Sequence, residues 1–338
     1  MVGVNFRLEE KLAIIHALDR IAIEEIEVGV ATAYDRDLPE LIRRSRNEGI
    51  KARLALWSRC RPEDIARAGV LKPDVLSLSI PGSDLHIEKK LGRDRAWVLA
   101  RVSEGVAQGR ALGIPYLSLG IEDSTRSDPS FLEAIIATAQ TAGIARIRLA
   151  DTVGIATPLD LSRLLLRLKT KFRVSLGVHC HNDFGMASAN TVTALDSGAD
   201  WADVTVYGIG ERAGNARLEE VAAHRVLQRG HHYELRELKG LVGLVAGCCG
   251  KRIDPHHPVV GEKIFQCETG LHLQGLEVDT ATYEAYPPEV VGSERKLVYG
   301  NKIGRRQWRR LLAGHQPDLP ATTLINLAAA RLRFATPT

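Results

Sequence analysis

Short apolar, β-branched runs alternate with longer amphipathic segments from residue 8 to residue 229. No other feature constrains the fold as strongly. Strands joined by helices lie parallel in one sheet, with right-handed crossovers and the helices packed outside. Strand candidates are 24–29, 51–57, 74–80, 116–122, 146–151, 174–180 and 202–207. Helical patterns lie at about 8–21, 36–48, 61–70, 95–112, 129–142, 158–171, 186–197 and 217–229. Asp128-Pro129 and Thr157-Pro158 place proline in the first turn of a helix, and Gly49, Gly113 and Gly143 stand where left-handed caps are expected.

The alternation thus yields seven strands and eight helices, beginning with a helix. A closed (β/α)8 barrel needs eight strands, whereas an open doubly wound sheet tolerates seven. No G-x-G-x-x-G comes after an early strand, which weighs against the dinucleotide-binding version of the open sheet. The expected architecture is α/β, a TIM barrel over 1–232 that lacks its first strand in this sequence. From about residue 231 the alternation stops. The rest of the chain holds a helix at 235–248, a Pro/His-rich stretch from Asp254 to Pro258, an irregular segment from Phe265 to Lys302 and helical patterns at 303–313 and 321–334. The span 233–338 therefore reads as a lid or linker with a small, mostly helical subdomain.

Composition narrows the function. The 338 residues are 45% apolar and 25% charged, enough apolar content for a sizeable core, and the formal charge is only +4. No apolar run reaches the roughly 18–20 residues of a membrane span, and no signal-peptide layout opens the chain. The excess basic residues are scattered or sit near Arg305, Arg306, Arg309 and Arg310, without a basic–aromatic stripe, so neither a membrane nor a nucleic-acid partner is expected. Cys60, Cys180, Cys248, Cys249 and Cys267 form no C-x-x-C and no metal-ligand spacing, as in a cytoplasmic protein with reduced thiols.

Chemistry concentrates at strand ends. In Val178-His179-Cys180-His181-Asn182-Asp183-Phe184-Gly185, His179 and His181 share one side of a strand while Cys180 faces the other. Turned inward, two imidazoles meet at the C-terminal mouth, where barrel enzymes place their sites, and suit a divalent metal. Hydrogen-bonded buried histidines are the alternative. Gly208-Ile209-Gly210-Glu211-Arg212-Ala213-Gly214-Asn215 offers an amide oxygen at Asn215, a phosphate cradle, or a glycine-rich turn closed by a Glu211–Arg212 pair. In Arg148-Leu149-Ala150-Asp151-Thr152-Val153-Gly154, Thr152 and the loop amides could hold a carboxylate, or Arg148 and Asp151 could pair structurally. Polar clusters also end the strands at Ser83-Asp84-Leu85-His86 and Glu122-Asp123-Ser124-Thr125-Arg126-Ser127.

Together these segments resemble the Claisen-condensing metalloenzymes of the 2-isopropylmalate synthase and homocitrate synthase family. Its hallmarks H-x-H-N-D-x-G-x-A-x-A-N and G-x-G-E-R-x-G-N stand here as His179 to Asn190 and Gly208 to Asn215, and the likeness runs from about Gly3 to Gly304. Ser79 to His86, Lys90-Leu91-Gly92 and Leu119 to Asp123 are most similar to homocitrate synthases of nitrogen fixation. The resemblance implies an acyltransferase that condenses acetyl-CoA with 2-oxoglutarate to homocitrate and CoA, in a cytoplasmic homodimer. It implies a divalent metal (Mg, Mn or Zn) on His179, His181 and Asn215, and catalytic roles for His272, Glu211 and Arg148. Thr152, His86, Glu122 and Ser118 are the implied substrate-binding residues. A 2-isopropylmalate or citramalate synthase, a retro-Claisen lyase and a non-catalytic paralogue acting as a subunit partner are the alternatives.

The chain also departs from that family. The D-T-T-L-R-D-G-E-Q of the first barrel strand, with its arginine and acidic metal ligand, is not found, and Met1 to Phe6 match the family's residues directly after that motif. The expectation is a true N-terminus upstream of Met1, for instance through a misplaced start codon. Cys267 replaces the first histidine of H-E-x-G-I-H, leaving acid–base function there to His272. Gly177 stands where homocitrate synthases usually carry glutamate, and Gly300 to Gly304 departs from G-K-H-S-G.

Overall fold

The computed structural model describes residues 3–32, 34–299, 302, 304 and 324–325. Seven strands, β1 (Glu25–Val30), β2 (Arg53–Arg59), β3 (Val75–Pro81), β4 (Tyr116–Glu122), β5 (Arg146–Asp151), β6 (Ser175–Cys180) and β7 (Trp201–Asp203), form one sheet in sequence order. Every neighbouring pair is parallel. The helices are α1 (Leu8–Ile21), α2 (Leu38–Asn47), α3 (Pro62–Leu71), α4 (Arg95–Ala111), α5 (Pro129–Ala142), α6 (Pro158–Lys171), α7 (Ala187–Asp196) and α8 (Leu218–Arg229). The expected alternation is present, with a six-residue π-helical turn at Leu85–Lys90 after β3 and single 3-10 turns at Ser124–Arg126 and Val206–Gly208, the last replacing the end of the strand expected over 202–207.

Side-chain alternation decides what each face of the sheet does. Leu54, Leu56, Leu76, Leu78, Ile80, Leu117, Leu119, Ile121, Ile147, Leu149, Leu176, Val178 and Cys180 are buried in one apolar cluster together with helix residues such as Val102, Val106, Ile135 and Leu165. A smaller cluster of Leu12, Ile15, Ile26, Leu41 and Ala52 fastens α1 and α2 against β1. Helix ends obey the sequence signals. Asp128 caps α5 through Phe131, Thr157 and Asp160 form a reciprocal cap on α6, and Gly143 ends α5 at φ 90°.

The other face is polar. Glu25, Glu27, Ser77, Ser79, Arg146, Arg148, His179 and Asp203 line a cavity of about 1250 Å³. In most barrels branched apolar layers fill that space; here the charges pair across it. Arg146 Nη2 donates to Glu25 Oε1 at 2.5 Å, Arg53 lies 3.0 Å from the same carboxylate, and Arg146 Nε donates to Ser118 Oγ at 3.1 Å. The guanidinium groups of Arg53 and Arg146 also stack against Trp201 and Tyr116, at 4.7–5.4 Å from the ring centroids. Because β2, β3 and β4 separate β1 from β5, an Arg146–Glu25 bond requires a strongly curled sheet. The architecture is TIM-barrel-like, an open half-barrel of seven parallel strands with β1 and β7 as its edges.

The chain divides into two compact units, Met1–Tyr233 with Leu244–Lys251, and Glu234–Gly243 with Arg252–Thr338. The helix α9 (Leu238–Cys248) is shared between them. In the second unit β8 (Gln266–Cys267), β9 (Lys296–Tyr299) and β10 (Leu324–Ile325) form a small parallel sheet in the order β10-β9-β8. The segment expected to be irregular contains α10 (Gly270–Val278), whose Leu273 and Leu276 pack on Leu297 and Tyr299. Its two glycines dilute the helical period, which is why the pattern looks weak in sequence. The helical pattern at 303–313 lies outside the described residues apart from Gly304. Of 321–334 only Leu324 and Ile325 are described, and they pair as strand with Val298 and Tyr299 rather than continue a helix. Among the described residues no helix is long and apolar enough to cross a membrane.

Leu119→Ala, at the centre of the large cluster, is expected to lower the unfolding free energy by about 3 kcal/mol. Leu166→Ala, on an exposed face of α6, should change it by less than about 0.5 kcal/mol. Urea unfolding of both variants checks the contrast; equal losses would contradict the core described above.

Candidate metal and substrate site

His179 is the last inward side chain of β6, and His181 comes immediately after the strand, bridged to Asn215 in antiparallel fashion. Their rings lie edge to face with centroids 4.9 Å apart. His179 Nδ1 is 3.0 Å from Asp203 Oδ2, and His181 Nδ1 is 3.1 Å from the Asp151 carbonyl oxygen. A carbonyl only accepts, so His181 Nδ1 carries the proton; opposite an ionised Asp203, His179 Nδ1 does the same. Both Nε2 atoms are then left with a lone pair for a ligand, as in carboxylate–histidine–metal arrangements.

Burial holds His181 below the ordinary imidazole range, reinforced by the neighbouring His179, which keeps the ring neutral. Burial opposes ionisation of Asp203, but the Arg148 guanidinium and the His179 hydrogen bond outweigh it and hold the carboxyl at about 2.

The loop 208–215 brings the third donor. Asn182 N donates to the Gly214 carbonyl at 2.8 Å, Asn215 N to Gly208 O at 3.1 Å and Ala216 N to Cys180 O at 3.2 Å, so the loop is laced to the end of β6. Gly214 stands at φ 95°, and a Cβ there would collide with the Gly208 carbonyl. Gly210 approaches so closely that its Cβ would sit 2.6 Å from Asn215 Oδ1. That oxygen is buried and has no hydrogen-bond partner. A buried amide oxygen without a partner carries a desolvation penalty, which a cation would remove. Two imidazole nitrogens and this oxygen suit a divalent transition metal better than calcium, whose sites are all-oxygen. Among the described residues no group of three or more His, Cys, Asp or Glu could hold a metal, so the set rests on Asn215 as its third member.

Around this set the expected residues take different positions. Thr152 Oγ1 accepts from Asp123 N at 2.7 Å, which leaves its own proton to donate into the cavity it lines. Asp151 does not pair with Arg148. Its buried carboxylate accepts from Thr125 Oγ1, Ile155 N and Ala156 N, and so shapes the loop. Arg148 Nη1 reaches across to Asp203 Oδ2 at 2.7 Å and Glu27 Oε2 at 3.4 Å. Likewise Arg212 donates twice to Asp183, each at 2.8 Å, and once to the Thr152 carbonyl, rather than closing the loop onto Glu211.

Glu211 and Glu122 line the cavity, and Glu122 accepts from Ser79 Oγ and Lys90 Nζ, both at 2.8 Å. His86 stands behind them, with Nε2 3.7 Å from Asp123 and Nδ1 3.9 Å from Glu122, too far for hydrogen bonds. Ser118 is fully buried under Arg146 and does not line the cavity. His272 belongs to the second unit, where its ring stacks on Tyr283 at 4.1 Å.

The sequence motifs do not single out Glu27 or Asp203. Each is an acidic residue at an inward position of a strand whose outward positions are apolar, a pattern that marks a polar lumen once the inward side is known. Asp203→Asn is expected to weaken binding of Mn2+ or Zn2+ by about 10- to 100-fold, as removal of a ligand's supporting carboxylate does elsewhere. Isothermal titration measures it, and unchanged affinity would contradict the orientation of His179 by Asp203.

Known proteins share this architecture. A family model described as HMGL-like matches residues 1–245, and one described as homocitrate synthase post-HMGL domain-like matches 259–325. The chain is 37% identical to a homocitrate synthase of Frankia alni over 315 residues, covering 92% of this chain and 88% of that one. It is 36% identical to 2-isopropylmalate synthase 2 of Caldanaerobacter subterraneus subsp. tengcongensis over 304 residues, 89% of this chain and 79% of that one. Among solved structures, the HMG-CoA lyase of Bacillus subtilis superimposes with a TM-score of 0.65 at 19% identity, over 74% of this chain and 90% of that one.

Proposed function

The chain belongs to the HMGL-like family, and from that premise we propose that it condenses acetyl-CoA with 2-oxoglutarate to give homocitrate and CoA. What supports the reading is a pair of imidazoles 4.9 Å apart, with Asn215 bridged to His181 and its Oδ1 without a hydrogen-bond partner, in a cavity also lined by Thr152 and Arg148. His179, His181 and Asn215 would hold a divalent ion, which would supply Lewis-acid polarisation of the keto group.

The protein's own groups do the rest. The Thr152 hydroxyl donates a hydrogen bond to the 2-oxo acid's carboxylate, and Arg148 offers a fixed positive charge deeper in the lumen. Fixing both ends of the acceptor orients the keto carbon for attack. Glu211 lines the mouth as the candidate to take a methyl proton from acetyl-CoA. The resulting carbanion attacks the keto carbon, the new alkoxide takes up the proton held by Glu211, and water then cleaves the thioester to release CoA and leave a carboxylate. His272 is the proposed acid–base histidine of the second unit. Burial pushes the thiol of Cys267 up. We further propose a cytoplasmic homodimer.

The test is CoA release by the full chain with Mn2+ or Mg2+, measured by chromatography. CoA should form only when a 2-oxo acid is added, with the highest kcat/KM for 2-oxoglutarate, and His179→Ala should abolish it. No release with 2-oxoglutarate, pyruvate or 2-oxoisovalerate would leave a non-catalytic partner as the better reading. Preference for pyruvate or 2-oxoisovalerate would make the chain a citramalate or 2-isopropylmalate synthase.

A further inference from the structure

Arg148 has a glycine on each side. The sheet register pairs it with Gly120 on β4 and with Gly177 on β6. No side chain stands beside Arg148 on either neighbouring strand, and its guanidinium lies over Gly120. A Cβ on Gly120 would stand 3.2 Å from both Nε and Nη2 of Arg148. One on Gly177 would stand 3.3 Å from Trp201 Cβ and 3.7 Å from Arg146 Cδ. The two ion-pair bonds of Arg148, to Asp203 and Glu27, both leave from Nη1, so Nε and Nη2 face the space over Gly120.

That layer lies directly below the imidazoles. Gly177 and His179 are successive inward positions of β6, about 6.6 Å apart along a strand. One oxygen, Asp203 Oδ2, touches both His179 Nδ1 and Arg148 Nη1. A keto group at the imidazoles of an acid with two further methylenes therefore places its far end at the guanidinium.

We infer that Gly120 and Arg148 form a specificity slot for the second carboxylate of a dicarboxylic 2-oxo acid, with Gly120 keeping it open. The inference rests on the proposed condensation for its substrate class. It assigns to Arg148 the far carboxylate, leaving the 2-oxo acid's own carboxylate to Thr152.

The test compares 2-oxoglutarate with 2-oxobutyrate, which has the same first four carbons and no second carboxylate. In Arg148→Gln the ratio of kcat/KM for 2-oxoglutarate over 2-oxobutyrate should fall by about tenfold or more, the effect of losing a charge-assisted bond. Gly120→Ala should lower the same ratio. If Gly120 merely helps the sheet pack, both substrates suffer together and the ratio stays constant; that result overturns the slot. If the chain releases CoA from no 2-oxo acid, the condensation reading fails and ligand-induced shifts in Tm decide the slot instead. A larger shift with 2-oxoglutarate than with 2-oxobutyrate, lost in Arg148→Gln and Gly120→Ala, supports it. Equal shifts, no shift with 2-oxoglutarate, or a shift retained in Arg148→Gln overturns it.

Discussion

Charged side chains meet across the inside of the curled sheet and hold one another in place there. Arg146 and Arg148 leave β5 on its inner face, and their partners Glu25 and Glu27 come from β1, with β2, β3 and β4 in between. Removing charges from water costs several kcal/mol per ion, and the pairing recovers that only with good geometry and further hydrogen bonds. Arg146 has both, in a close carboxylate, the Ser118 hydroxyl and the faces of Trp201 and Tyr116. Deleting one member strands the other, so the interior punishes single substitutions more than an apolar lumen would. The apolar cluster outside the sheet supplies the bulk of the stability, and the ionic interior sets where the inward groups point.

The candidate site inherits its geometry from that network. Asp203 serves two neighbours through a single oxygen, holding Arg148 on one side and orienting His179 on the other. The same contact joins the layer of the imidazoles to the glycine-flanked layer below. Above them, Arg212 ties the 208–215 loop to Asp183 and the Thr152 carbonyl, so the segments bearing His181, Thr152 and Asn215 are fastened to one another. The two imidazoles that face the cavity are each held through Nδ1 by a neighbouring group, as preorganised sites require.

Much of this is legible in the sequence, for identifiable reasons. Period-two alternation in His179-Cys180-His181 puts both imidazoles on one side, and the buried Cys180 on the other agrees. Strict strand–helix alternation sets seven parallel strands in sequence order. Partner choice is not legible. Proximity along the chain sets Arg148 against Asp151 and Arg212 against Glu211, yet the folded partners are Asp203 and Asp183, 55 and 29 residues away. Long side chains in a curled sheet reach across the lumen, and local spacing carries no record of that. The same holds for Ser118: its inward position is readable, but the arginine lying over it is not. In the second unit, α10 is hidden by Gly270 and Gly275, the latter lying against Tyr283.

Asp203 orients His179 and the Asp151 carbonyl orients His181, and with Asn215 these imidazoles are the proposed metal ligands. X-ray absorption at the zinc edge of the metal-loaded full chain tests that assignment directly. The account predicts a first shell with two imidazole nitrogens at about 2.0–2.1 Å, reduced to one in His181→Ala. A first shell without imidazole scattering, or one unchanged in that variant, would contradict it.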